Sequence, residues 1–433
     1  MNGPAGAAPS APPALPAPFA FARKNAAGIA LAGAFALAYL LLGLRLNSPI
    51  VDTTDNYLDA DNFTWMRRIA WEDGSQLEMR GPHPYAYFIF RPVGRALALT
   101  LGDPFLAAVT LNSLAGGLCV YLAWRFVSVE TGAPLYAGLI AALLGLTTSH
   151  IWFGSIVESY IFSAAALLAL FVLLQRSPRA TLSHVAAAII VLGITVTNAA
   201  QAFIGFFLAR RNLRALVVFV AIVLIAGMVL TIVHAWVYPS GALLFEPEAA
   251  STERGFAIDL RSEPGWRAAG RVILVARTML LYTIVAPRPY VFTDEVGGIF
   301  PRFNFFRIAP GAYAFSSYSG LGTILVAAWG LMCLAASILF VRRLVKTRAA
   351  ELPVAFLLCL GFNFVLHLFY GYEPFLYSPD WAYALVLFVG VALRPFARST
   401  WVLGSLAIFL ALLAWHQVAF IASVLQTVQT FLQ

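Results

Sequence analysis

The sequence predicts an all-α protein, a polytopic transmembrane helical bundle of about eleven spans with two large extracytoplasmic loop regions. Three observations predict it. First, 61% of the 433 residues are hydrophobic and only 11% are charged, whereas a soluble domain carries about 25% charged residues. Second, the apolar residues fall in runs of roughly 18–25, the length that crosses about 30 Å of hydrocarbon. Third, the basic residues alternate between the two ends of successive runs as the positive-inside rule requires. The chain's net charge of +8 is not gathered into a single basic face, which excludes a nucleic-acid partner.

Residues 1–22, rich in Ala, Pro and Gly, have neither the charged start nor the compact apolar core of a signal peptide and are expected to be a disordered cytoplasmic tail. Arg23 and Lys24 hold that end inside, and Gly28–Leu46 is the first span. Residues 47–103 form outer loop one, in which Tyr85–Leu101 carries Arg91 and Arg95 and suits an interfacial helix. Pro104–Phe126 returns, Pro134–Trp152 exits and Ile156–Gln175 re-enters, stopped by Arg176 and Arg179. Charge placement divides Leu182–Ala209 into two short helices broken at Thr197-Asn198, because one long span would leave Arg210, Arg211 and Arg214 outside. Ala215–Tyr238 exits to outer loop two, residues 239–318, where Val272–Ala286 is a short apolar segment, re-entrant or interfacial. Leu321–Val341, Leu352–Tyr370, Tyr377–Leu393 and Trp401–Leu425 complete the bundle. This threading places fourteen basic and two acidic residues inside, and fourteen basic and eighteen acidic residues outside. Cys119, Cys333 and Cys359 all lie in apolar runs and read as packing residues.

With no soluble domain of any size, chemistry must reside in the outer loops and outer helix ends. The densest constellation is Asp52, Asp55, Asp59 and Asp61, just after the first span. Such carboxylates serve as a general base, or hold a divalent cation through Asp55 and Asp61; the plainer reading is a hydrated acidic loop. His83-Pro84 offers an imidazole at a loop-to-helix junction, or simply a rigid turn. Glu158, in Glu158-Ser159-Tyr160, puts a costly carboxylate at the start of a span, which calls for a compensating partner. Arg277 and Arg288 flank the short apolar segment and suit phosphate by their planar forks of donors. Glu373 lies in an aromatic-rich stretch that reads as an interfacial belt.

Together these features resemble the GT-C superfamily of membrane glycosyltransferases, which includes the dolichyl-phosphate-mannose protein mannosyltransferases and their bacterial relatives. The likeness is architectural over roughly residues 28–430, with local matches at Asp52 and Asp55, at His83-Pro84, at Glu158-Ser159-Tyr160, and at the broken helix pair around Asn198 before Arg210-Arg211. The resemblance implies an inverting transfer of a sugar from a polyprenyl-phosphate donor to a glycan, lipid or protein acceptor, with Asp55 or Asp52 as catalytic base. Many members carry an adjacent acidic pair; here the two aspartates stand three apart, and both remain candidates. Glu158 joins them in the catalytic set, with His83, Tyr160, Asn198 and Glu373 as substrate-binding residues and Arg277 or Arg288 on the departing phosphate. The implied setting is the plasma or inner membrane, in contact with membrane lipids, with the active site extracytoplasmic. A transporter or lipid flippase, a non-catalytic scaffold and another lipid-linked transferase are the alternatives.

Overall fold

The computed structural model describes residues 17–47, 56–177, 181–292, 301–347 and 352–432. Helix α1 (Ala17–Leu46) begins inside the stretch expected to be tail, because its alanines favour helix and Pro18 falls in the first turn, where a missing N–H costs nothing. Two short helices follow, α2 (Asn62–Ala70) and α3 (Ala86–Leu101). Helix α3 is the expected semi-apolar helix, and its arginines explain why it is not a span. Arg91 donates to the carbonyls of Arg68, Trp71 and Glu72 at 3.0–3.1 Å, and Arg95 to that of Ala70 at 2.9 Å. They satisfy the orphan carbonyls and negative dipole at the end of α2.

Helix α4 (Pro104–Thr131) is capped at its start by the Asp103 side chain, which accepts from Phe105 N at 2.8 Å. It ends at Gly132, whose φ of +60° is the left-handed conformation that glycine supplies. The helix lies tightly against α1. A Cβ on Gly117 would sit 2.8 Å from the Ala32 carbonyl oxygen. Lipid tails are as apolar as leucine, so close approach through small residues, and not burial from water, holds such a helix pair together.

The expected single span Pro134–Trp152 is instead α5 (Pro134–Leu146) and α6 (Thr148–Ser155), bent by 64°. Thr147 makes the bend: its extended backbone stops α5, and its hydroxyl accepts from His150 N to cap α6. Helix α7 (Ser159–Arg176) is followed by α8 (Thr181–Ile194) and α9 (Ala199–Arg210), separated by a 3-10 turn over Val196–Asn198 as the charge argument required. Helix α10 (Leu213–Val237) leads to the second loop region. That region holds α11 (Pro247–Arg254) and α12 (Gly265–Arg277), the latter running into a π turn over Thr278–Tyr282. Two antiparallel ribbons follow, β1 (Tyr290–Phe292) with β2 (Arg302–Asn304), and β3 (Phe306–Ala309) with β4 (Ala312–Phe315). The chain closes with α13 (Leu321–Thr347), α14 (Leu352–Phe369), α15 (Pro379–Ala392) and α16 (Thr400–Leu432).

Seven of the described helices, namely α1, α4, α7, α10, α13, α14 and α16, are long and apolar enough to cross a membrane, or eight segments if the bent α5–α6 pair is one span. The remaining apolar helices, α8, α9 and α15, have 14, 12 and 14 residues. At about 1.5 Å per residue they reach only about 20 Å, short of the hydrocarbon thickness. The expected eleven spans therefore reduce to seven or eight by length. Helix α15 tolerates its shortness by being enclosed, with every residue from Pro379 to Val391 buried. It packs against α5, α7, α13 and α14, and Trp381, Tyr383, Phe171 and Phe356 fill the shared core.

Candidate functional site

The chain between α6 and α7 is unwound over Ile156–Val157–Glu158, which leaves buried backbone groups to be satisfied. Two asparagines do so. Asn47, at the end of α1, donates to the carbonyls of Gly43 and Ser155 at 2.8 Å and accepts from Val157 N and Asn62 Nδ2 at 3.1 and 3.2 Å. Asn112 on α4 donates to Phe153 and Ile156 carbonyls at 2.9 and 3.2 Å and accepts from Glu158 N at 3.3 Å. Glu158 is 2% exposed and caps α7. Its Oε1 accepts from the amide and hydroxyl of Ser159 at 2.7 and 3.1 Å, and its Oε2 from Asp61 N at 3.0 Å. Burial first, then the neighbouring Asp61 carboxylate, raises the Glu158 carboxyl above its ordinary range, while the donors from Ser159 and Asp61 pull the other way. The compensating partners that a carboxylate here demanded are thus the start of α7 and the backbone of the first loop.

Asp52 and Asp55 lie outside the described residues, so the cation pair of Asp55 and Asp61 has one member there. Among the described residues no three His, Cys, Asp or Glu side chains converge as a metal site. The residues on either side of that segment are both anchored near the α6–α7 junction. Asn47 is bonded as above, and the Tyr57 ring stands edge-on to Trp152 at 5.8 Å. Phe303 of β2 completes the anchor, donating from its amide to the Asn56 carbonyl at 2.8 Å and accepting from Leu58 N at 3.2 Å.

A cavity of about 270 Å³ opens two residues beyond Glu158. Its walls come from distant parts of the chain: Gly81, Pro82 and His83 from the first loop region, Tyr160 from α7, Thr195–Thr197 from the break between α8 and α9, and Glu253 from α11. The far wall is Leu366, His367, Tyr370, Tyr377 and Asp380. His83 Nδ1 is 2.5 Å from the Ile194 carbonyl, so that nitrogen carries the proton and Nε2 is left as an acceptor. Burial drops the His83 pKa to about 3, with the Ile194 bond opposing and Arg68 and Arg80 assisting, so the ring is neutral across the physiological range. Tyr377 carries the aromatic wall, its ring 4.4 Å from that of His367 and 5.1 Å from that of Tyr160. Arg80 grips Glu253 through three contacts of 2.7–3.0 Å, Tyr370 donates to the same carboxylate at 2.5 Å, and the guanidinium lies 4.2 Å over Phe256.

Beneath the cavity runs a buried polar chain. Asn198 donates to Ser163 Oγ at 2.6 Å and accepts from Gln201 at 2.7 Å, and Gln201 accepts from Tyr383 at 2.8 Å. The Asp380 carboxyl lies close to Asn198 and Ser163. Of the residues singled out from sequence, His83 and Tyr160 line the cavity and Asn198 supports it. Glu158 stands two residues away. Arg277 is turned aside, bonded to the Tyr282 hydroxyl at 2.9 Å and the Ser316 carbonyl at 3.1 Å, and Arg288 is exposed; neither lines the cavity.

Glu373 caps the turn before α15, accepting from Phe375 N at 3.1 Å, and its Oε2 has no partner among the described residues. Burial pushes its carboxyl up to about 8, with Asp59 adding and Arg271 opposing. The folded state therefore holds a proton that the unfolded chain releases above its ordinary carboxylate pKa, so stability falls as pH rises between about 4.5 and 8. Thermal unfolding across that range is expected to show the slope in wild type and a flatter one in Glu373→Gln; equal slopes would remove Glu373 as its source.

Sequence reasoning missed Asp380, Glu253, Arg80, His367 and Tyr377. Asp380 had a usable signal, a lone carboxylate in an apolar run, which is the signal that marked Glu158. Glu253 had none, being one of several acids in its loop. No protein-family model matches the chain, and no curated protein matches it.

Proposed function

We propose that the protein is a GT-C-type membrane glycosyltransferase that moves a sugar from a polyprenyl-phosphate donor to an extracytoplasmic glycan, lipid or protein acceptor. The observation that carries this reading is the cavity itself. It is sugar-sized, lined by imidazole, phenol, hydroxyl and carboxyl groups together with the apolar side chains of Pro82, Val196, Leu244 and Leu366, and lies two residues along α7 from the junction where both flanks of the Asp52–Asp55 segment are anchored. In the proposed reaction Asp55, or Asp52, takes the proton of an acceptor hydroxyl as its oxygen attacks the anomeric carbon. The bond from that carbon to the phosphate oxygen breaks, and the lipid phosphate leaves with the electron pair. A lone base activating the acceptor gives inversion. His83 and Tyr160 orient the sugar. Arg277 and Arg288 do not line the cavity and Arg80 beside it is held by Glu253, so this reading assigns no arginine to the departing phosphate.

The test is transfer of labelled sugar from a panel of polyprenyl-phosphate donors in membranes containing the full chain. Label reaching an acceptor with inverted configuration is expected; retained configuration would sink the single displacement. The buried Asp380, Asn198 and Ser163 cluster beside a broken helix pair favours a second reading, a transporter or flippase. Absence of transfer from every donor would favour that reading.

A further inference from the structure

We propose that Asp380 and Thr195 form a hydroxyl-binding subsite in the cavity wall, and that its occupant is a single neutral sugar ring. Asp380 is 2% exposed and Thr195 5%, and both line the cavity. Asp380 Oδ1 and Thr195 Oγ1 are each buried with no hydrogen-bond partner among the described residues. Leaving such an atom unmet costs about 1–3 kcal/mol, and both oxygens lie within the wall of one cavity, where a small side-chain rotation would bring either to a ligand that supplies the missing bond.

The surroundings select its chemistry. A lipid chain would leave both oxygens unmet. A phosphate would face the carboxylates of Asp380 and Glu253, while the nearby Arg80 is already held by Glu253. A hard cation needs about six oxygen ligands, and the acidic lining is Asp380 and the already engaged Glu253. A sugar hydroxyl donates to Asp380 Oδ1 and exchanges a bond with Thr195, and the C–H face of the ring rests against Tyr377, whose ring lies 4.4 Å from that of His367. The cavity of about 270 Å³ has room for a sugar ring.

The proposal rests on the transferase reading for the ring's role as donor sugar, but binding is tested apart from transfer. The measurement is saturation-transfer NMR on the full chain in sugar-free lipid nanodiscs, with methyl glycosides of glucose, galactose, mannose and arabinofuranose as probes. At least one glycoside is expected to bind, and Thr195→Val and Asp380→Leu to weaken it by about tenfold each, the worth of one lost hydrogen bond to a buried group. Asp380→Asn, which keeps an acceptor oxygen, is expected to weaken it less. If Asp380→Leu does not fold, Thr195→Val decides. Binding unchanged in the variants, or no glycoside bound, overturns the subsite. Transfer in membranes together with that result leaves the transferase reading standing. Glycoside binding that the variants abolish, without transfer from any donor, does the reverse.

Discussion

Replacing Arg271 with alanine is expected to destabilise the protein by about 3–5 kcal/mol, the range for removing one partner from a buried charged network. Arg271 sits on α12 and is 2% exposed. Its guanidinium donates to the carbonyls of His367 at 3.0 and 2.5 Å, Tyr372 at 3.0 Å, Tyr370 at 3.2 Å and Gly371. These are the last carbonyls of α14 and the turn after it, which have no intrahelical partners. Burial lowers the Arg271 pKa to about 10, with Tyr313, Glu373 and Tyr377 opposing, so the group stays charged at neutral pH. The alanine variant leaves four carbonyls without that donor and removes a positive charge that favours the ionised Glu373. Because His367 and Tyr370 line the cavity, the loss should reach the site as well as the fold. Lysine is expected to recover less than half, since a single ammonium cannot span the fork of donors. Thermal unfolding in micelles checks this: a Tm within a degree of wild type for Arg271→Ala would show that the turn holds without it.

On the proposed transferase reading, sugar transfer is expected to fall by about 10²- to 10⁴-fold in Asp55→Asn, the usual contribution of a positioned general base. Asparagine keeps the shape of the side chain and cannot take the proton, so kcat should fall while the KM for the lipid donor changes little. Asp52→Asn is the control that separates the two candidates. A loss confined to Asp52→Asn moves the base there. Equal transfer by wild type and both variants removes the first-loop aspartates from the chemistry. Glu158→Gln reports differently, because its carboxylate binds Ser159 and the Asp61 amide through both oxygens. The amide nitrogen of glutamine would face one of those donors, so this variant is expected to lower stability together with activity.

Much of the fold was legible because its causes are local. Apolar run length marked the long helices, and the placement of Arg210, Arg211 and Arg214 required the break that the structure has at Thr195–Asn198. The bend at Thr147 was not legible, because nothing in the composition of Pro134–Trp152 distinguishes a straight helix from two capped ones. Within the site, His83 and Tyr160 were recognisable as polar groups at helix junctions. Arg277 and Arg288 stood out by position along the chain, yet their surroundings depend on strands and turns formed much later in the sequence.

By itself, then, the sequence determined that this is a multi-pass helical membrane protein, because hydrocarbon thickness and backbone hydrogen bonding act on consecutive residues. Only the tertiary structure decided which side chains share a cavity. Gly81 and Asp380 are far apart in sequence and meet because α15 is enclosed by the longer helices. Likewise, only packing decided that Glu158 caps and anchors, that Arg271 holds the turn after α14, and that Asp380 and Thr195 are left with oxygens unmet. Hydrogen-bond satisfaction is a property of neighbours in space, and a linear pattern does not record those neighbours.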